Sequence, residues 1–99
     1  MRPQPRPEAP VEGFFRFDPE APLYREHFPG NPVVPGTLII HAFLELLEPT
    51  GPWQPRRFRF LRFVPPGEYR YTVEPVEPGC VRCCLWRDGT AAVRGECVR

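Results

Sequence analysis

The chain has no serine and no lysine among its 99 residues, and only two histidines. Without serine there is no serine nucleophile, and without lysine there is no Schiff-base chemistry. An excess of charge is missing too. Thirteen basic residues, all arginine, stand against 12 acidic ones, a formal net charge of +1. No global field therefore draws the chain to nucleic acid or to an anionic membrane. No apolar run approaches the roughly 20 residues of a membrane-spanning helix. Met1 to Pro10 has no apolar core of a secretory signal, so the expectation is a cytoplasmic protein.

What is abundant is proline, with 16 residues. Proline interrupts helix interiors, which argues against a helical bundle. Disorder does not follow, because Phe, Val, Leu and Ile still make up about a quarter of the chain. The prolines gather at segment borders. One small domain buries a modest share of its surface, so a dimer or larger assembly is expected.

Residues 1–10 alternate proline with polar residues and read as a disordered arm, leaving residues 11–99 as a single domain. Val11 to Phe17 is a first strand, and Leu23 to His27 can form one helical turn. His27 to Gly36 holds three prolines and two glycines and reads as a rigid loop. Thr37 to Glu48 is the one good helix, stopped by Pro49-Thr50-Gly51-Pro52. Its apolar residues cover most of the circumference, the pattern of a buried helix. One polar stripe remains: Thr37, His41, Glu45 and Glu48.

The remainder is β. Strands are expected at Arg56 to Val64, Tyr69 to Glu74, Cys80 to Arg87 and Thr90 to Val98, with Asp88-Gly89 as a two-residue hairpin turn. On the last strand Ala91, Val93 and Cys97 are expected to face inward. One helix held by a curled antiparallel sheet is an α+β architecture.

Four cysteines occur, at 80, 83, 84 and 97. Cys80-x-x-Cys83 has metal-ligand spacing, but no second pair or nearby histidine completes a site, so buried strand residues are the better reading. Arg56 to Arg62 interleaves arginine with Phe58 and Phe60, a pattern also found in single-strand nucleic-acid binders. With so little net charge, an amphipathic strand with a solvated arginine face is favoured, and some of those arginines can attract an acidic carrier protein.

The stretch His27-Phe28-Pro29-Gly30-Asn31-Pro32-Val33-Val34-Pro35-Gly36, continuing through Thr37 and His41 to Glu45, resembles the signature of the 3-hydroxyacyl-acyl-carrier-protein dehydratases. Val64-Pro65-Pro66-Gly67-Glu68 is similar to that family's turn after the helix. The resemblance implies a hotdog fold, in which a curled sheet wraps one long helix. It implies that His27 is the catalytic acid/base and that the Gly36 N–H polarises the thioester carbonyl. It places the loop residues Phe28, Pro29, Gly30, Val34 and Pro35 around the substrate. A carboxylate from the neighbouring subunit would complete the family's site, but here that position is His41, with Glu45 one turn on where the family often has Gln.

The chemistry is consistent with those residues. Dehydration needs a base for a weakly acidic Cα proton, donors for the enolate oxygen and an acid for the leaving hydroxyl. Histidine titrates near neutrality. A backbone N–H at a helix start suits an oxyanion. His41 can still donate a proton, and Glu45 can pair with it at i,i+4.

Three functions follow as expectations. The first is a dehydratase acting on thioesters of acyl carrier protein, in fatty acid, polyketide or another carrier-dependent synthesis, as a homodimer. The second is a non-catalytic acyl-thioester-binding subunit or the heterodimer partner of a complete dehydratase. The third is a hotdog thioesterase relying on Glu45. Proton transfer implies no cofactor and no metal, and no nucleic acid or membrane partner is expected.

Overall fold

A computed structural model describes residues 9–23, 30 and 32–99 of the chain. The expected helical turn lies, beyond Leu23, outside the described residues, as does nearly all of the proline-rich arm. Among the described residues, the strands and the long helix follow in the order β1 (Val11–Phe17), α1 (Gly36–Leu47), β2 (Gln54–Phe60), β3 (Gly67–Glu77), β4 (Cys80–Arg87) and β5 (Thr90–Val98). A single 3-10 turn, Glu48–Thr50, follows α1. The strands form one fully antiparallel sheet in the order β1-β3-β4-β5-β2. Helix α1 packs across its concave face, the hotdog arrangement expected from the sequence.

The bounds of β1, β4 and β5 agree with the sequence reading, and Asp88 (φ 52°) and Gly89 (φ 80°) both take the left-handed conformation of a two-residue hairpin turn. Two strands differ. β3 runs on to Glu77 through Pro75. The pairing of β1 with β3 starts at Val11 opposite Val73, so Pro75 lies past the end of β1, where β3 has β4 alone as its neighbour and a register irregularity follows. β2 stops at Phe60 because the ladder ends there. The Leu61 and Arg62 N–H groups both donate to the Ala92 carbonyl, at 2.8 and 3.2 Å. Ala92 is itself the extra residue of a bulge between the Leu85–Val93 and Trp86–Ala91 pairs. That bulge corrects the inward placement of Ala91: Ala92 takes the core position and Ala91 is only half-buried.

The core is aromatic at its centre. Phe43 of α1 is fully buried and meets Phe15 edge-on at 5.0 Å, while Phe15 stacks on Tyr71 at 4.3 Å. Val73, Val81, Cys83, Leu85, Val93 and Cys97 line the sheet face beneath. The helix is buried on one side only. Ile39, Phe43 and Leu47 are buried, but Leu38 remains 37% exposed. The expectation of burial nearly all round is therefore not met within one chain, because a single five-stranded sheet covers only one face of the helix. The polar stripe Thr37, His41, Glu45 and Glu48 lies on the uncovered side.

All four thiols are buried. Residues three apart on a strand face opposite ways, which separates the Cys80-x-x-Cys83 pair. Cys83 contacts Cys97 in the core at 3.9 Å, whereas Cys80 lies against Glu96 (3.6 Å) and Arg56 (3.7 Å) on the other face. Burial pushes the Cys80 thiol above its ordinary range, and the neighbouring Glu96 carboxylate adds to the shift. Among the described residues no three His, Cys, Asp or Glu groups cluster as a metal site. A thiol-reactive disulfide reagent is expected to titrate no cysteine in the native protein and all four in denaturant. Rapid native labelling of even one thiol would show that the sheet opens locally.

Candidate active site at the start of the helix

Pro35 is the residue before α1, in an extended conformation (φ −59°, ψ 142°) that launches the helix at Gly36. Among the described residues no side chain caps the helix, and its first turn contains no acidic residue. The Leu38 and Ile39 N–H groups donate to the Pro35 carbonyl, at 3.0 and 3.3 Å, so it is the Gly36 and Thr37 N–H groups that face outward at the positive end of the helix dipole. The approach to this point is fixed by a backbone hydrogen bond from Val34 N–H to Val64 O, at 2.8 Å. It ties the loop before the helix to the segment leaving β2.

Between those two segments lies a cavity of about 200 Å³. Val34, Pro35, Gly36 and Ile39 form one wall, and Phe60 and Phe63 form the other. Phe60 is half exposed and Phe63 is 77% exposed, so the mouth of the cavity is an apolar, solvent-facing rim. Among the described residues Arg62 is the one charged residue in the lining, and its guanidinium is held by Thr90 Oγ1 (2.7 Å) and Arg87 O (3.2 Å). Glycine at position 36 has a steric cause. A Cβ there would lie 2.6 Å from the Phe60 ring, so only glycine lets the ring close over the helix start.

Of the candidate site residues, the structure brings Val34, Pro35 and Gly36 together around this cavity. Gly30 is exposed in a left-handed turn (φ 82°). His27, Phe28 and Pro29 lie outside the described residues. His41 and Glu45 meet each other, with Nε2 2.7 Å from Oε1, but not the cavity. Five residues beyond Gly36, His41 sits about 7.5 Å along the helix and roughly 140° around it. Both side chains are about two-thirds exposed, at 64% and 65%. Phe60, Arg62 and Phe63 were not among the sequence candidates. Their signal was the alternation of Phe and Arg, which read simply as strand.

One helix across a five-stranded antiparallel sheet, with an uncapped helix start opening on an apolar cavity, defines a hotdog protein of the dehydratase type. A family model described as a FabA-like domain matches residues 8–98, and the chain belongs to that family. Among solved structures, the chain is similar to one described as the dehydratase heterocomplex ApeI:P from Xenorhabdus doucetiae. That match has a TM-score of 0.68 at 20% identity and covers 100% of this chain and 95% of the other. A search of curated proteins finds no match. No helix among the described residues is long and apolar enough to cross a membrane.

Proposed function

We propose that this chain binds acyl thioesters at the Gly36 cavity and takes part in the dehydration of 3-hydroxyacyl to trans-2-enoyl thioesters in the cytoplasm. The observation that carries this reading is the uncapped helix start opening on an apolar cavity of about 200 Å³. The thioester oxygen is placed at the Gly36 N–H, where negative charge developing in the enolate meets the helix dipole. The acyl chain lies along Val34, Ile39 and Phe60. His27 takes the Cα proton. The C–O bond then breaks, the double bond forms between Cα and Cβ, and the hydroxyl leaves as water with a proton from a second group. His41, polarised by Glu45, stands where the family has its carboxylate. The thioester is presented by an acyl carrier protein.

A heterodimeric form of the same reading is favoured by the position of His41. It lies on the helix face that one chain leaves uncovered, away from its own cavity. A second subunit packed there would receive His41 and supply its own acid to this chain's cavity. The structurally similar ApeI:P is described as a heterocomplex of a dehydratase.

The test is hydration of a short trans-2-enoyl thioester by the purified protein. The parent is expected to turn over, with His27→Ala and His41→Ala each reducing kcat by about 10²-fold or more. A silent parent whose melting temperature still rises with acyl thioester selects the partner-dependent form, and His41→Glu is then expected to restore turnover. Hydrolysis lost in Glu45→Gln would replace dehydration by thioester cleavage. Neither turnover nor a melting shift would remove the reading altogether.

A further inference from the structure

The two edges of the sheet differ in how they can meet another strand. Among the described residues β1 pairs with β3 alone and β2 with β5 alone, so each keeps one row of N–H and C=O groups without a strand partner. Such a row is a template for a further strand. β2 is blunted. It carries Pro55, a bulge, Arg57 in the left-handed region (φ 55°) and three arginines with no carboxylate. A second β2 laid against it would meet a broken ladder and like charge. β1 has none of these devices. It pairs with β3 over all seven residues without a register shift, contains no proline, and carries one charge of each sign, Glu12 and Arg16.

Strand alternation sorts the β1 side chains. Phe15 and Phe17 pack on the core, which turns Glu12, Phe14 and Arg16 to the outer face, where all three are exposed. Phe14 is the middle residue of the strand and leaves a large apolar ring in water. An antiparallel copy centred on it sets Phe14 against Phe14, Glu12 against Arg16 and Arg16 against Glu12. The inner face then joins Val11 to Phe17 and Gly13 to Phe15, with no charge among them. A slip of one residue would oppose inner and outer side chains. A slip of two, centred on Gly13 or Phe15, would set Phe14 against Glu12 or Arg16 and lose both ion pairs. The one register that uses the whole strand is thus also the one that matches its charges.

From this we infer that β1 pairs antiparallel with β1 of a second copy of this chain, about a twofold axis at Phe14. The two sheets join into one, with both helices on the same side. A self-complementary patch of this kind is what a twofold contact requires. The shared ladder is roughly 24 Å long, and the two Phe14 rings lie side by side about 5 Å apart on the outer face. Arg70 of β3, 3.0 Å from Glu12, holds that carboxylate on the outer face where Arg16 of the second copy arrives. β1 lies at the opposite end of the sheet from β2 and contributes no residue to the Gly36 cavity, so this contact is independent of the catalytic reading.

The test is sedimentation velocity of the full chain over a concentration series at low salt. The parent is expected to self-associate. Glu12→Arg and Arg16→Glu are each expected to raise the dissociation constant at least about tenfold, because two ion pairs become two like-charge pairs. The double variant Glu12→Arg/Arg16→Glu restores opposite charges and is expected to associate as the parent does. An equal mixture of the two single variants is expected to associate as well, since each supplies the charges the other lacks. Phe14→Cys is expected to form an intermolecular disulfide with glutathione disulfide as oxidant, the four native thiols being buried, and to lose it when Glu12→Arg is added. Below the dissociation constant all these variants are expected to melt within a few degrees of the parent, so lost association would not reflect lost folding. A parent that stays monomeric, single variants that associate as the parent does, or a mixture that stays apart would overturn the inference. Hydration of a short free thioester is expected to be unchanged in the charge variants, which keeps the two readings separately testable.

Discussion

Gly36→Pro is expected to leave α1 standing and to lower enoyl-thioester hydration by about 10²–10³-fold in kcat, the usual effect of deleting one oxyanion donor. Proline is tolerated at the first helical position, where no intrahelical hydrogen bond uses the N–H. The residue before it must be extended, and Pro35 already is, with ψ at 142°. The substitution therefore removes one proton donor and little else, apart from bulk. A Cβ at position 36 meets the Phe60 ring at 2.6 Å, so the comparison belongs in a Phe60→Ala background. There, Gly36→Ala keeps the N–H and is expected to retain turnover, whereas Gly36→Pro is not. Equal kcat for the two, with equal melting temperatures, would take the oxyanion role away from this N–H and leave the cavity as a binding site alone.

Phe43→Ala is expected to lower the free energy of unfolding by about 3–5 kcal/mol. The ring is fully buried and lies between Phe15, Tyr71 and Phe58, at centroid distances of 5.0, 6.2 and 6.1 Å. No neighbour can collapse into the space without abandoning its own ring contacts. Domains of this size are stable by only about 5–15 kcal/mol, so the variant would sit near its unfolding threshold. Phe14→Ala is the matched control. That ring is 66% exposed on the outside of β1, and its loss is expected to change stability by no more than about 0.5 kcal/mol. Urea unfolding with an unchanged m-value measures both. A loss below 1 kcal/mol at Phe43 would mean that the helix does not seal the core.

Much of this arrangement was legible in the sequence because local rules and tertiary demands agree there. Asp88-Gly89 makes a tight turn wherever two strands flank it. Pro35-Gly36 starts a helix because proline fixes the extended entry and glycine fits under Phe60. The polar stripe of α1 reads correctly from spacing alone. Where the reading failed, a distant partner decided. β2 ends at Phe60 because Ala92, 32 positions further on, offers a carbonyl to Leu61 and Arg62. The inward position on β5 passes from Ala91 to Ala92 through a bulge set by pairing with β4. Neither event leaves a mark in the local pattern.

The candidate site divides in the same way. The residue types for thioester chemistry, and the loop and helix start that hold Val34, Pro35 and Gly36, follow from the sequence, since proline and glycine act through their own backbone. That Phe60 and Phe63 form the second wall does not, because the wall exists only when Val34 bonds to Val64 and folds one segment over the other. The gathering of Arg57, Arg59, Arg82 and Arg94 around one shallow groove of the sheet is likewise a product of register. Arginines separated by up to 37 positions, from Arg57 to Arg94, become neighbours only through the pairing of β4, β5 and β2. The sequence by itself determined the elements, the turns and the chemistry available, all matters of near neighbours. Which of those groups share a cavity or a face was decided by the tertiary structure, because hydrogen-bond ladders and packing join residues that the chain keeps far apart.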